Sequence, residues 1–241
     1  MHIKKVVLTT ILLVFIITLS IGQQTDSISK KSFWKKSIVP ASLLGVGVLL
    51  NNSKFEKKLH KDVMSFVGND FKTSVDDYIL FAPIVQMYTA DLLGVKSKNH
   101  WFDQSKYLFI SNVISSGITN RLKVATAKIR PDGTPKAFPS GHTTIAFTNA
   151  AVLHQEFKDS SPILAYSGYA FATATGGLRM ANNKHWVSDV LAAAGISILV
   201  TELVYLIKPL KNFNPFKKTK HLSFYPNYNK GSYGFYASYN F

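Results

Sequence analysis

A chain of 241 residues is long enough for one catalytic domain with appendages and a substantial buried core. It has no cysteine, which excludes a disulfide framework, a thiol nucleophile and cysteine-based metal sites. Lys and Arg number 28 against 13 Asp and Glu, a formal charge of +15, which points to anionic partners. Nucleic acid is one such partner, but no helix-turn-helix, zinc or RNA-recognition signature is present, so no nucleic-acid partner is expected. Lysine clusters at residues 30–36, 54–61 and 208–220 suit an anionic membrane surface equally well.

In chain order, Lys4 and Lys5 precede an apolar stretch from Val6 to Ile21, and Ser20 and Gly22 fit the small-residue positions of a signal-peptidase site. Residues 1–22 read as a signal peptide or N-terminal anchor, which favours export to a periplasm or cell envelope. Residues 23–36 are polar and poorly periodic and read as a linker. Six apolar segments follow at Ile38–Leu50, Tyr78–Leu93, Tyr107–Ile118, Thr143–Leu153, Ile163–Leu178 and Val187–Ile207. Their length and composition are helical, with Gly, Asn or Pro in the gaps. The expectation is an all-α bundle of about six core helices over residues 37–210. Most segments fall short of the ~20 residues that cross a bilayer; only Val187–Ile207 reaches that length, and it carries Asp189 and Glu202. Residues 211–241 read as a basic linker and a short aromatic β-hairpin, with alternation on both sides of Asn229-Lys230-Gly231.

Three ordered blocks carry the chemistry. The first holds Lys123 and, seven residues on, Arg130-Pro131; two helical turns would put both cations on one face, and Pro131 would end the helix at Arg130. Arg121 and Lys128 lie nearby but off this spacing and are left out of the site. The second block is Pro139-Ser140-Gly141-His142 before a helical run. There Ser140 can cap the helix, free backbone N–H groups can face an anion, and Gly141 lets the backbone come close. The third is Arg179, His185 and Asp189. Arg179 would lie before a helix start implied by Asn182 and Asn183, with His185 and Asp189 four apart on one helical face, the carboxylate reaching the imidazole. Taken alone, each block is an ordinary basic helix end, Ser cap or surface pair. Together they supply three cations, two histidines, a hydroxyl and one carboxylate, an inventory suited to phosphate bound without a metal beside an attacking histidine.

In order and spacing the blocks resemble the type 2 phosphatidic acid phosphatase family, whose pattern is Lys-x6-Arg-Pro, Pro-Ser-Gly-His and Ser-Arg-x5-His-x3-Asp. The resemblance spans about residues 75 to 208, with one departure: Leu178 stands where the family has Ser, removing one possible phosphate donor. It implies a metal-independent phosphatase without cofactor, acting on a lipid phosphomonoester or pyrophosphate. His185 would be the nucleophile, Asp189 its orienting carboxylate and His142 the general acid. Lys123, Arg130, Ser140, Gly141 and Arg179 would hold the phosphate. Alternatives are a secreted non-specific acid phosphatase, a vanadate-dependent haloperoxidase, and a non-catalytic envelope protein that binds anionic lipid. The intact His142, His185 and Asp189 argue against the last.

Overall fold

In a computed structural model of the chain, the structure describes residues 27–207, 210, 222–229 and 232–239. The leader expected at residues 1–22 lies outside them. The chain divides into two compact units, Met1–Lys208 and Pro209–Phe241.

The first unit is helical throughout its described part, in agreement with the all-α expectation. Its helices are α1 (Ser27–Leu50), α2 (Lys54–Val67), α3 (Asp76–Ile79), α4 (Ala82–Leu92), α5 (Trp101–Thr126), α6 (Gly141–Phe157), α7 (Pro162–Ala181) and α8 (Val187–Leu206). Helix α1 begins within the segment expected to be a linker. Helix α2 is absent from the sequence reading because its lysines break the apolar pattern. Ser53 caps α2, accepting from the Glu56 N–H at 3.1 Å, and its inner face buries Glu56, His60 and Met64.

Helix α6 is the centre of the unit, packed against α4, α5, α7 and α8, while α1 lies along α8. Small side chains make these approaches possible. Ala146 and Ala150 of α6 meet Ala172 of α7 and Ala194 of α8 around Leu80 and Phe147; a second cluster joins Met87, Val152, Leu153, Phe157 and Ala165. At the α1–α8 crossing a Cβ on Gly47 would lie 2.6 Å from the Ala192 nitrogen, and one on Gly195 would lie 2.6 Å from the Pro40 oxygen. Backbone meets backbone there, so only glycine fits.

The connections bring the functional blocks to one end of the bundle. Helix α5 stops at Thr126, where Ala127 adopts the left-handed conformation at φ 45°. Helix α7 ends at Ala181, with Asn182 as C-cap and Asn183 left-handed at φ 60°. In the second unit, strand β1 (Leu222–Asn229) pairs antiparallel with β2 (Ser232–Tyr239), Asn229 facing Ser232 across the turn.

Candidate active site

His185 and Asp189 do not share a helix face as expected. His185 precedes α8, and Asp189 sits in the first turn, so the carboxylate folds back over the helix start. Its Oδ2 accepts the Trp186 N–H at 2.9 Å and lies 3.2 Å from Nδ1 of His185. This is the usual stabilising place for an acid at a helix N-terminus, here shared with an imidazole. With Nδ1 turned to the carboxylate, the Nε2 lone pair of His185 is left for chemistry. Main-chain bonds brace the third block and tie it to the second: the His185 N–H donates to the Arg179 oxygen at 3.2 Å, and the Ser140 N–H donates to the Asp189 oxygen at 3.1 Å. Burial pushes the His185 imidazole down to about 4; Asp189 opposes the shift, and Lys123 and Arg179 reinforce it.

The cations gather from different elements. Lys123 lies in the last turn of α5, its Nζ donating to the Lys136 oxygen at 2.9 Å, and its Cε would be 3.8 Å from a Cβ placed on Gly141. Burial lowers its ammonium to about 8, with Arg130 next in effect; Asp189 raises it and Arg179 lowers it further. Lys123 is thus within electrostatic reach of Arg130, Arg179 and Asp189. Arg130 is not on the helix face of Lys123, because α5 has ended four residues earlier. It opens a turn instead, its N–H donating to the Thr134 oxygen at 2.8 Å and its carbonyl accepting the Gly133 N–H at 3.0 Å. Arg179 lies in the last turn of α7, not ahead of a helix, and its Nη1 donates to Asp76 Oδ2 at 2.7 Å. The Nε atoms of Arg130 and Arg179 are both buried without a protein partner. A buried guanidinium N–H is costly to leave unpaired, and an oxyanion satisfies it.

Ser140 caps α6. Its Oγ accepts from the Thr143 hydroxyl at 2.9 Å and from the Thr143 N–H at 3.4 Å, so its own proton remains to be donated. The first N–H groups of α6, at Gly141 and His142, have no intrahelical acceptor. His142 is partly exposed, its Nε2 2.7 Å from Oδ1 of Asp77.

Several residues of the site have no signature in the spacing. Asp76 is fully buried, bonded to Arg179 and, at 2.9 Å, to the Asn182 amide. Asp77 holds His142. Lys128, excluded above, is buried with its Nζ 3.0 Å from Asp189 Oδ1, 3.1 Å from Glu56 Oε2 and 2.7 Å from Ser188 Oγ. Among the described residues, no group of three His, Cys, Asp or Glu side chains is arranged to hold a metal ion.

The family model described as the PAP2 superfamily matches residues 104–213. A lipid A 1-phosphatase of Porphyromonas gingivalis is 35% identical over 150 residues, which are 61% of this chain and 34% of that protein. The chain therefore spans about a third of the length of that relative. The crystal structure of Aquifex aeolicus LpxE is similar with TM-score 0.48 and 17% identity, covering 65% of this chain and 98% of that one. The crystal structure of a transmembrane PAP2-type phosphatidylglycerolphosphate phosphatase from Bacillus subtilis is similar with TM-score 0.47 and 15% identity, covering 74% and 99% respectively.

Proposed function

We propose that the chain is a member of the PAP2 superfamily, whose model matches residues 104–213, and that it is a metal-independent phosphatase hydrolysing a lipid phosphate through a phosphohistidine. The observation that carries this reading is the buried His185–Asp189 pair within electrostatic reach of Lys123 and of Arg179, whose Nε has no protein partner.

In the proposed reaction, Lys123, Arg130 and Arg179 bind the phosphate oxygens, joined by the Ser140 hydroxyl and the N–H groups that open α6. Nε2 of His185 attacks phosphorus. As the P–N bond forms, the bond to the leaving oxygen breaks, and His142 gives that oxygen its proton. The cations are already in position for the charge of the five-coordinate transition state, so little reorganisation is needed. His142, now neutral, takes a proton from water. The hydroxide equivalent attacks phosphorus, the P–N bond breaks, and inorganic phosphate leaves with His185 restored. Residues 37–210 form the catalytic domain in this reading, with residues 211–241 as an appended basic and hairpin segment.

A lipid substrate is favoured over a small soluble ester by the large apolar side chains exposed on the helical unit, among them Phe66, Leu92 and Ile163. The name of the P. gingivalis relative makes a lipid A phosphate the first candidate, ahead of phosphatidic acid and polyprenyl pyrophosphates. Exported enzyme on or partly in an envelope membrane fits this substrate. The test is phosphate release from a panel of these lipids in detergent, with alkaline-quench trapping of the labelled protein, since the P–N bond is acid-labile. Trapped phosphohistidine in the wild type that vanishes in His185→Ala is expected. Label retained in His185→Ala would overturn the mechanism, and turnover confined to soluble esters would overturn the lipid reading.

A further inference from the structure

The Asp189 carboxylate has two faces. Oδ2 serves His185 and the Trp186 N–H, whereas Oδ1 serves Lys128, at 3.0 Å. Lys128 is held from behind by Glu56 Oε2 at 3.1 Å and by Ser188 Oγ at 2.7 Å, and Ser188 itself donates to Glu56. The ammonium also lies 5.7 Å from the Trp186 ring centre and 5.8 Å from that of Phe138, and side chains of Lys128, Glu56 and Asp189 are all but inaccessible to water. Lys128 thus approaches Asp189 through the oxygen that His185 does not use.

We propose that Lys128 is a positioning residue for the reaction: clamped by Glu56 and Ser188, it fixes the Asp189 carboxylate and takes up part of its charge, so Asp189 orients the His185 imidazole without drawing a proton onto Nε2. The proposal rests on the reading of His185 as nucleophile. A carboxylate alone beside a histidine favours imidazolium, which has no lone pair to attack with. A cation on the far oxygen weakens that pull and leaves the hydrogen bond in place. The other charged or titratable groups around the imidazole are Lys123 from α5 and Arg179 from α7, which oppose protonation, and Glu56 and His60 from α2. Glu56 reaches it only through Lys128, and His60 through its edge contact with Trp186. Lys128 lies within the six-residue gap between Lys123 and Arg130, just after α5 has ended at Thr126 and Ala127 has turned left-handed.

Removing Lys128 alone would leave two buried carboxylates unbalanced, so the test uses the double variant Lys128→Met/Glu56→Gln, which deletes one charge of each sign. The pH profile of kcat/KM is compared with wild type on one phosphomonoester, so that the substrate's own ionisation cancels. The acid limb is expected to move up by about one pH unit, the effect of an opposite charge no longer offset at close range. KM should change little, since Lys123, Arg130 and Arg179 are untouched. A variant that melts cooperatively yet keeps the wild-type acid limb, or moves it down, would overturn the proposal. Should the methionine variant fail to fold, Lys128→Gln/Glu56→Gln, an amide pair of similar shape, is expected to show the same shift and is judged the same way. Failure of the wild type to form phosphohistidine would instead sink the catalytic reading; an active wild type with an unmoved variant sinks only the role of Lys128.

Discussion

Arg179 is gripped from one side by a fully buried carboxylate: its Nη1 donates to Asp76 Oδ2 at 2.7 Å, while its Nε has no protein partner. The Asn182 amide holds the other oxygen of Asp76 at 2.9 Å, so the guanidinium is oriented before any phosphate arrives. Arg179→Lys should cost about 2.7–4 kcal/mol in kcat/KM, because an ammonium cannot bond Asp76 and fork onto phosphate together. Asp76→Asn should lower kcat/KM about tenfold or more and lower Tm as well, since it leaves Arg179 without its buried counter-ion. Kinetics on both variants with one substrate check this; a silent Asp76→Asn would remove Asp76 from the site.

His142 is expected to matter in proportion to how badly the leaving group needs a proton. With a lipid alkoxide, His142→Ala should lose roughly 10²–10⁴-fold in kcat; with p-nitrophenyl phosphate, whose leaving group departs as an anion, the loss should be far smaller. Asp77→Asn should follow the same pattern more mildly, because Asp77 bonds Nε2 of His142 at 2.7 Å. Equal losses on both substrates would assign His142 to phosphate binding instead.

Two groups set the pH response. Lys123, lowered to about 8 mainly by burial, loses its charge as pH rises through that value, so kcat/KM should fall above about pH 8. Lys123→Arg keeps its charge and should move that limb upward. His185, lowered to about 4 mainly by burial, stays neutral and nucleophilic through the physiological range. Between about 6.5 and 4 the unfolded chain binds a proton that the fold refuses, so stability falls as pH drops through that window, by on the order of 3 kcal/mol. His185→Ala should flatten the dependence of Tm between pH 7 and 5.

Of the fold, the apolar helices were legible from the length and composition of their segments, although the buried face of α5 is largely polar, with Gln104, Ser111, Ser115, Thr119 and Thr126. Helix α2 was not, since its buried side chains are Glu56, His60 and Met64 among lysines. The motif residues were found by spacing, but helical geometry misjudged how they meet. Lys123 and Arg130 converge because α5 ends between them, and His185 meets Asp189 because the carboxylate reaches back over the start of α8. Asp76, Asp77, Glu56 and Lys128 act across gaps of about 60 to 100 residues, and no local pattern records a contact of that kind.

Activity is expected to survive EDTA and to be inhibited by vanadate. The donor set around the phosphate position is cationic and hydroxylic, whereas magnesium or zinc needs carboxylates or neutral imidazoles converging on one point. Vanadate adopts the five-coordinate geometry that Lys123, Arg130 and Arg179 would hold in the proposed reaction. Activity lost in EDTA and restored by magnesium would require a different mechanism.

The enzyme should sit on or partly in a membrane, held by apolar contact more than by charge. Large side chains stand exposed on several helices of the unit: Leu49 on α1, Phe66 on α2, Leu92 on α4 and Ile163 on α7, from 80% to 91% accessible. Taken together with the other exposed apolar side chains of the unit, this amount of apolar surface suits contact with lipid. Among the described residues one helix, Val187–Leu206, is long and apolar enough to cross a bilayer, and 61% of its apolar window is already buried inside the fold. That burial casts it as a core helix as much as a membrane-facing one, so full multi-span insertion is not expected. The lysines of α2 add attraction to anionic headgroups, about 1 kcal/mol for each one near the surface. In envelope fractions the enzyme should therefore resist a high-salt wash and come off with detergent. Release by salt alone would reduce the attachment to the lysines, and recovery of active enzyme only from the cytosol would overturn the envelope location altogether.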